Sequence, residues 1–201
     1  AVYSGAFLTS LTHSAGQSLQ FAYSGNLLQS VTDSYGRITT YTYDGAQNLA
    51  SAAYYGTNLV SYTYSTGQGA AREHALTTVT YPGGTHNYFG YDTLGRLIST
   101  SRDGGASAIN FTYDTAGTVF MTDALSNQSK FYFNQHGLPA RVENPLKKHV
   151  NFSFDNNFNL TSLQGLDGKS FTCTLDAKGN ITKTLDPAGN ALALSYSTNA
   201  R

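Results

Sequence analysis

The sequence predicts an all-β protein: a continuous meander of about nine antiparallel β-hairpin repeats of about 21 residues, forming a curved or spiral sheet. Three observations support this prediction. A large anchor residue returns at nearly constant spacing, apolar and polar residues alternate before each anchor, and turn-forming residues follow it. Such a period is typical of one supersecondary unit copied side by side, each copy covering its neighbour's apolar side chains.

The anchors run through the whole chain. Eight of their nine spacings are 20 to 22 residues, and the ninth, from Tyr64 to Tyr91, is 27. The chain has 15 Tyr, 11 Phe and 20 Gly but no Trp, a composition suited to half-buried strands and tight turns. The anchors are Tyr3, Tyr23, Tyr43, Tyr64, Tyr91, Tyr113, Phe133, Phe154, Leu175 and Tyr196.

The first strand of each repeat alternates in character up to its anchor. Because successive side chains of a strand point to opposite faces, we expect one apolar and one hydroxylated face. The apolar positions, two before each anchor, are Phe21, Tyr41, Tyr62, Phe89, Phe111, Phe131, Phe152, Cys173 and Leu194. Hydroxylated positions between them are Thr42, Thr63, Thr112, Ser153 and Thr174.

Two turns complete each repeat. The first turn directly follows the anchor and begins with Asp44, Asp92, Asp114, Asp155 or Asp176. The second turn comes ten to thirteen residues after the anchor, as in Asp186-Pro187-Ala188-Gly189. An Asp side chain accepts hydrogen bonds from amides two residues further on, and Gly adopts the positive φ that tight turns need. Eleven of the twelve acidic residues occupy these two zones, including Asp103 and Glu143 in the second, so we interpret them as structural.

Residues 1–201 are predicted to form a single repeat array, with an enlarged turn at about residues 65–75 in the longest repeat. We interpret the chain as a piece of a longer protein, because it opens on one anchor and stops just past another. Arg72, Glu73 and His74 lie in the enlarged turn and are the one polar cluster outside the repeat pattern. They are a speculative loop site, since binding residues concentrate on loops, although a solvated loop tip is the simpler interpretation and the one we favour.

Composition excludes several classes of function. Twelve basic residues balance twelve acidic ones, so no basic excess favours nucleic acid as a partner. No apolar run is long enough to insert into a membrane as a helix. The five histidines and the single Cys173 form no metal-binding motif. Cys173 alternates in phase with apolar neighbours, so we expect it to be a small buried apolar residue. We therefore expect no enzyme activity, no cofactor and no metal.

The repeat resembles the Rhs, or YD, repeat. Tyr91-Asp92-Thr93-Leu94-Gly95-Arg96-Leu97 is similar to the family's core motif, and Tyr43-Asp44, Tyr113-Asp114 and Phe154-Asp155 are weaker copies. The resemblance covers essentially the whole chain. The residues that define the repeat structurally are Tyr23, Tyr43, Asp44, Tyr64, Tyr91, Asp92, Gly95, Arg96, Tyr113, Asp114, Gly117, Phe154, Asp155, Asp176, Gly179, Asp186, Pro187 and Gly189.

The resemblance implies a spiral of β-hairpins that forms a hollow shell. In bacterial toxins of the family this shell encloses a variable C-terminal toxic domain, and in animal teneurins a similar barrel belongs to an adhesion receptor. The self-cleaving plug of toxin shells has no counterpart in the sequence, so we do not expect autoproteolysis. Nine repeats give about 18 strands and about 86 Å of sheet, which is too little to enclose a folded domain alone.

Two functions follow as hypotheses. The first is a structural scaffold, a piece of shell wall in a secreted or cell-surface bacterial toxin, whose partners are the rest of its own chain and the enclosed toxic domain. The alternative is an adhesion module that binds a carbohydrate or a cell-surface protein through its tyrosines and hydroxyls. Unpaired strands at the two ends of the array also predict self-association of this piece.

Overall fold

Antiparallel hairpins build the whole of this computed structural model, which describes residues 1–196. The described residues form two compact units, the first over Ala1–Ala108 and the second beginning at Ile109. The predicted all-β class and the meander of hairpin repeats are confirmed, because in the described part of each unit strand follows strand, and the one helical element there is a short 3-10 turn.

The first unit contains ten strands, each pairing with the next in antiparallel fashion. They are β1 Val2–Ser4, β2 Phe7–Thr12, β3 Ser18–Ser24, β4 Leu27–Asp33, β5 Ile38–Tyr43, β6 Leu49–Tyr54, β7 Asn58–Tyr64, β8 Leu76–Thr80, β9 His86–Tyr91 and β10 Leu97–Arg102. A 3-10 turn at Asp103–Gly105 follows β10.

The second unit contains nine described strands, paired in the same consecutive way. They are β11 Ile109–Tyr113, β12 Val119–Asp123, β13 Gln128–Phe133, β14 Pro139–Glu143, β15 His149–Phe154, β16 Leu160–Gln164, β17 Ser170–Leu175, β18 Ile181–Leu185 and β19 Ala191–Ala193.

A bulge accompanies most first turns. Tyr43 pairs with Leu49 while Thr42 pairs with Ser51, so Ala50 is an extra residue in β6. The same one-residue shift lies beside most other anchors, for example between Ser153 and Phe154. A β-bulge leaves ladder groups unpaired and increases the local twist of the strands. The first and second turns therefore differ, since the pairing across second turns continues without a shift, as in β4 and β5.

Burial follows the predicted alternation but is shallow. In β5, Tyr41 and Tyr43 are half-buried while Thr40 and Thr42 between them are exposed. Contacts within each unit join consecutive strands, so each unit is a single layer of sheet. Among the described residues only Ala52, Val79, Thr118 and Glu143 are buried. The expectation that Cys173 is a buried apolar residue is wrong, since its side chain is half-buried and hydrogen-bonded.

Within residues 1–196, no helix has both the length and the apolar character needed to cross a membrane.

Candidate functional site

One five-residue turn is used at ten of the eighteen connections between the described strands. Its first residue, an Asp or Asn, accepts through Oδ1 from the amides two and four residues further on; at Asp176 both distances, from Lys178 and Asn180, are 2.9 Å. We call this arrangement the Asp turn. Its members begin at Asp33, Asp44, Asp92, Asp114, Asp123, Asn134, Asn144, Asp155, Asp176 and Asp186.

The fourth residue of each Asp turn has positive φ. Gly95, Gly117, Gly179 and Gly189 occupy this position with φ between 78° and 89°. Its backbone amide donates to the carbonyl of the first residue, as from Gly189 to Asp186 at 3.0 Å. Pro187 stands at the second position, where its fixed φ suits the turn and no amide donor is needed.

The fifth residue closes the turn with its side chain, a feature that the sequence interpretation missed. Asn180 Nδ2 donates to the second carboxylate oxygen of Asp176 at 3.0 Å, and Arg96 Nε donates to Asp92 at 2.8 Å. The recurring spacing Asp-x-x-x-Asn or Asp-x-x-x-Arg was the available signal. The other asparagines in this role are Asn48, Asn127, Asn159 and Asn190.

These hydrogen bonds stabilise the charged form of each carboxylate. The side-chain hydrogen bond from Asn180, followed by that from its backbone amide, holds the pKa of Asp176 below its ordinary value. Asn48 lowers the pKa of Asp44 in the same order of causes. Hydrogen bonds to the charged form of an acid favour that form. The turn aspartates therefore remain ionised acceptors, whereas a catalytic acid would need a raised pKa.

Anchor tyrosines join consecutive repeats. The hydroxyl of Tyr64 donates to the carbonyl of Leu49 at 3.0 Å, and that of Tyr91 donates to Leu76 at 2.9 Å. Each acceptor precedes the extra residue of a bulge, where the ladder is interrupted. Desolvation raises the pKa of both tyrosines, which keeps their hydroxyls protonated as donors. We call this contact the tyrosine link, and it recurs from Tyr23, Tyr43 and Tyr196.

In the repeat whose anchor is Leu175, Cys173 takes the place of the missing anchor hydroxyl. Leu175 is the anchor of this repeat, and Cys173 Sγ lies 2.8 Å from the carbonyl of Leu160. That carbonyl precedes the bulge beside Phe154 and so corresponds to the acceptors of the tyrosine links. The thiol is thus a local hydrogen-bond donor, which is a structural role.

Arg72, Glu73 and His74 do not converge on one site. Arg72 donates to the carbonyl of Gln68, and the Glu73 carboxylate accepts from the amide of Gly67 at 3.0 Å. His74 points away to Asn48, with Nδ1 and Oδ1 2.7 Å apart. Each side chain is therefore held inside the loop or against a neighbouring turn.

The loop of residues 65–75 contacts first turns on both sides. His74 reaches Asn48 of the preceding first turn. In the following first turn, a Cβ built on Gly95 would lie 2.0 Å from the carbonyl oxygen of Ala71. This close approach requires glycine at position 95, in addition to its positive φ of 78°.

A pocket in the first unit breaks the repeat pattern. It has a volume of about 370 Å³ and is lined by Tyr81, Thr85, His86, Asn87, Arg102 and Asp103; we call it the Tyr81 pocket. Asp103 was predicted to be an ordinary turn residue, and it does lie at a second turn. Its carboxylate, however, binds His86 on the far side of the β9–β10 hairpin, 17 positions earlier in the chain.

Asp103 holds His86 by two hydrogen bonds. Both the backbone amide and the imidazole Nδ1 of His86 lie 2.8 Å from the carboxylate. The hydroxyl of Tyr88 donates to the same carboxylate at 3.2 Å, and its ring stacks on that of His86 with centroids 5.6 Å apart. The backbone hydrogen bond from His86, then that from its side chain, lowers the pKa of Asp103.

A second departure lies at Glu143 in the other unit. The sequence places Glu143 beside a second turn, but it ends β14 and is one of the four buried residues described. Its carboxylate is 2.7 Å from Arg141 Nη2, with Lys130 Nζ at 3.8 Å and Lys147 Nζ at 4.0 Å. This cluster neutralises a buried carboxylate across strands β13 and β14.

No group of three or more His, Cys, Asp or Glu side chains that could hold a metal ion occurs within residues 1–196.

The fold and its turns define the chain as a β-hairpin repeat protein. Among solved structures it is similar to TcdB2-TccC3 without its hypervariable C-terminal region, with a TM-score of 0.50, 13% identity and coverage of 87% of this chain. TcdB2-TccC3-Cdc42 has a TM-score of 0.49 at 14% identity over 85% of this chain. The Photorhabdus luminescens Tc holotoxin pore has a TM-score of 0.43 at 14% identity over 92% of this chain.

The likeness to TcdB2-TccC3 at these identities is one of fold. The chain spans 12% of the length of each of these three structures' matched chains. No family model and no curated protein matches the sequence.

Proposed function

We propose that the chain is a non-catalytic structural scaffold, a segment of the β-shell that encloses the C-terminal toxic domain of a secreted or cell-surface bacterial Rhs/YD-repeat toxin. The observation that carries the proposal is the repeated pairing of the Asp turn with the tyrosine link. Most of the carboxylates and most of the anchor hydroxyls take part in these two contacts, which build a regular sheet. The similarity in fold to TcdB2-TccC3, whose structure is described without a hypervariable C-terminal region, supports it further.

Limited proteolysis of the native gene product, isolated from its source culture, tests this scaffold role. We expect the repeat region to resist cleavage and a second stretch of the product to remain protected until urea opens the sheet. The same digestion in urea is the control. If the native product contains no such protected stretch, or if all of it is cleaved equally fast with and without urea, the enclosing role is wrong.

A second candidate is carbohydrate or cell-surface binding, favoured by an exposed aromatic cluster in the first unit. Tyr35 and Tyr55 are 75% and 57% exposed, and the Arg37 guanidinium lies 5.3 Å from the centre of each ring. Exposed aromatic rings offer stacking faces to sugars and to protein partners. A glycan-array screen tests this candidate, with Tyr35→Ser as the binding-deficient variant and Tyr3→Ser as the control at another exposed tyrosine.

A further inference from the structure

The Tyr81 pocket combines a planar wall with groups that both donate and accept hydrogen bonds. Tyr81 is 40% exposed, and its hydroxyl accepts from Asn87 Nδ2 at 3.0 Å, which leaves the hydroxyl proton to be donated elsewhere. Thr85 and Asn87 add a hydroxyl and an amide to the lining. A ligand rich in hydroxyl groups needs this mixture, because each hydroxyl is a donor and an acceptor at once.

His86 is oriented by Asp103 and presents its other nitrogen as a polar group. Because a carboxylate only accepts, the proton of the neutral imidazole lies on Nδ1, 2.8 Å from Asp103. Nε2 is then the acceptor. The Asp103 carboxylate accepts three hydrogen bonds, from His86 N, His86 Nδ1 and Tyr88, and an ionised carboxylate has about four acceptor sites.

Arg102 distinguishes this pocket from the rest of the array. Arg37, Arg96 and Arg141 each pair with a carboxylate, and Arg72 donates to a backbone carbonyl. Among the described residues, the exposed Arg102 guanidinium has no hydrogen-bond or ion-pair partner. A guanidinium presents a planar fork of donors that matches a carboxylate in bidentate geometry.

We propose that the Tyr81 pocket binds a carboxylate-bearing sugar of the uronic or sialic type. The sugar's carboxylate pairs with Arg102, its ring lies against Tyr81, and its hydroxyls bond to Asn87, Thr85 and His86 Nε2. The volume of about 370 Å³ lies at the lower end of the range of small-ligand pockets, which suits one or two sugar rings. The proposal rests on the second candidate function and gives it a specific site.

Titration of the isotope-labelled protein with glucuronate, N-acetylneuraminate, glucose and inorganic phosphate, followed by NMR, tests the pocket. We expect saturable shifts of pocket amides with at least one acidic sugar, and binding by glucose and by phosphate at least tenfold weaker. Arg102→Gln should weaken acidic-sugar binding about ten- to a hundredfold, since it removes a charge-assisted hydrogen bond. Lys183→Gln, which removes the charge of an exposed lysine of β18 outside both the pocket and the Tyr35 cluster, should leave the affinity unchanged.

Several results would overturn the pocket assignment: no saturable shift with either acidic sugar, equal affinity for glucose or phosphate, or the same loss in Lys183→Gln as in Arg102→Gln. Thermal unfolding of both variants separates lost binding from lost folding, and Arg102→Lys provides a second variant that retains charge but lacks the bidentate fork. The experiment can reject the Tyr81 pocket as the binding site without rejecting carbohydrate binding as a function. Glycan binding that survives Arg102→Gln keeps carbohydrate recognition and removes it from this pocket.

Discussion

At the scale of single residues, the same side-chain types perform two different tasks. Asp176 is held by groups within four positions of itself, whereas Asp103 holds a histidine 17 positions away. Composition and repeat position assign both to turns. The difference arises because the turn after β10 is irregular, with positive φ at Gly104, Gly105 and Ser107, so Asp103 does not cap its own amides in the usual way.

The charge of a turn aspartate should make stability depend on pH. The pKa of Asp176 is lowered in the folded protein, so its contribution is fully present above the unfolded pKa of about 3.9 and is lost as pH falls through the lower folded pKa. Asp176→Asn should therefore unfold more easily than the wild type above about pH 5, and the difference should shrink below about pH 4. Urea unfolding measured at several pH values checks this.

The turn at Asn134 provides the matched control for that experiment. It has the same hydrogen bonds from the amides of His136 and Leu138 but an uncharged first residue. Asn134→Asp should introduce a pH dependence of the kind that Asp176→Asn removes. Parallel pH profiles for the wild type and Asp176→Asn would show that the charge contributes nothing.

The tyrosine link should be measurable at one anchor. Tyr64→Phe keeps the ring and removes the hydroxyl that donates to Leu49, so the Leu49 carbonyl beside the bulge loses this donor. We expect a loss of about 1 kcal/mol in the free energy of unfolding, the usual contribution of such a bond. Urea unfolding should show a lower midpoint at an unchanged slope. Tyr35→Phe, at a 75% exposed tyrosine, is the control and should have no measurable effect.

At the scale of elements, the loop of residues 65–75 packs against the turns that connect neighbouring strands. Ala71 meets Gly95 in the following first turn, and His74 meets Asn48 in the preceding one. An insertion in a repeat usually emerges as a loop on one face. Here the extra residues cover two turns, and the polar side chains of the loop are used to hold it there.

Because the loop contacts Gly95, we predict that adding one methyl group at position 95 will displace the loop and destabilise the protein. In Gly95→Ala the new Cβ would lie 2.0 Å from the Ala71 oxygen, so the loop must move away from the turn. We expect faster amide hydrogen exchange across residues 69–75, measured by mass spectrometry, and a lower unfolding midpoint. Gly36→Ala is the control, with a similar φ of 76° and nothing within 4 Å of the new Cβ.

The control itself should cost about 1–2 kcal/mol, the price of a left-handed conformation for an L-residue. Gly95→Ala should cost more than Gly36→Ala. Of the two variants, only Gly95→Ala should speed amide hydrogen exchange in the loop of residues 65–75. If the two variants behave alike, the contact with Ala71 does not hold the loop in solution.

At the scale of the whole molecule, the protein exposes an unusual amount of surface. Its accessible area is 13192 Å², whereas a globular monomer of 21.6 kDa exposes about 9,200 Å² by size scaling. Large apolar side chains contribute to this, including Leu125 at 83% and Leu146 at 78% exposure. The single-layer sheets contribute to the excess, because among the described residues of each unit the contacts join consecutive strands and form no second layer.

This exposure predicts self-association of the purified chain. Among the described residues β1 pairs only with β2, and its Val2 and Tyr3 are 58% and 64% exposed, so its other side is a template for another strand. We expect the weight-average mass in sedimentation velocity to rise above 21.6 kDa with concentration. Tyr3→Lys should reduce association, while Tyr35→Lys, at a turn, should not. A monomer at every concentration would contradict this prediction.

The sequence by itself determined the hairpin repeat, the alternation of faces and the positions of the Asp turns. It could do so because these features depend on residues at most a few positions apart, such as Asp176 and Asn180. Only the tertiary structure decided the pairing of Asp103 with His86, the seating of Ala71 on Gly95 and the burial of Glu143. Those contacts depend on strand register and on the path of irregular turns, which local patterns do not specify.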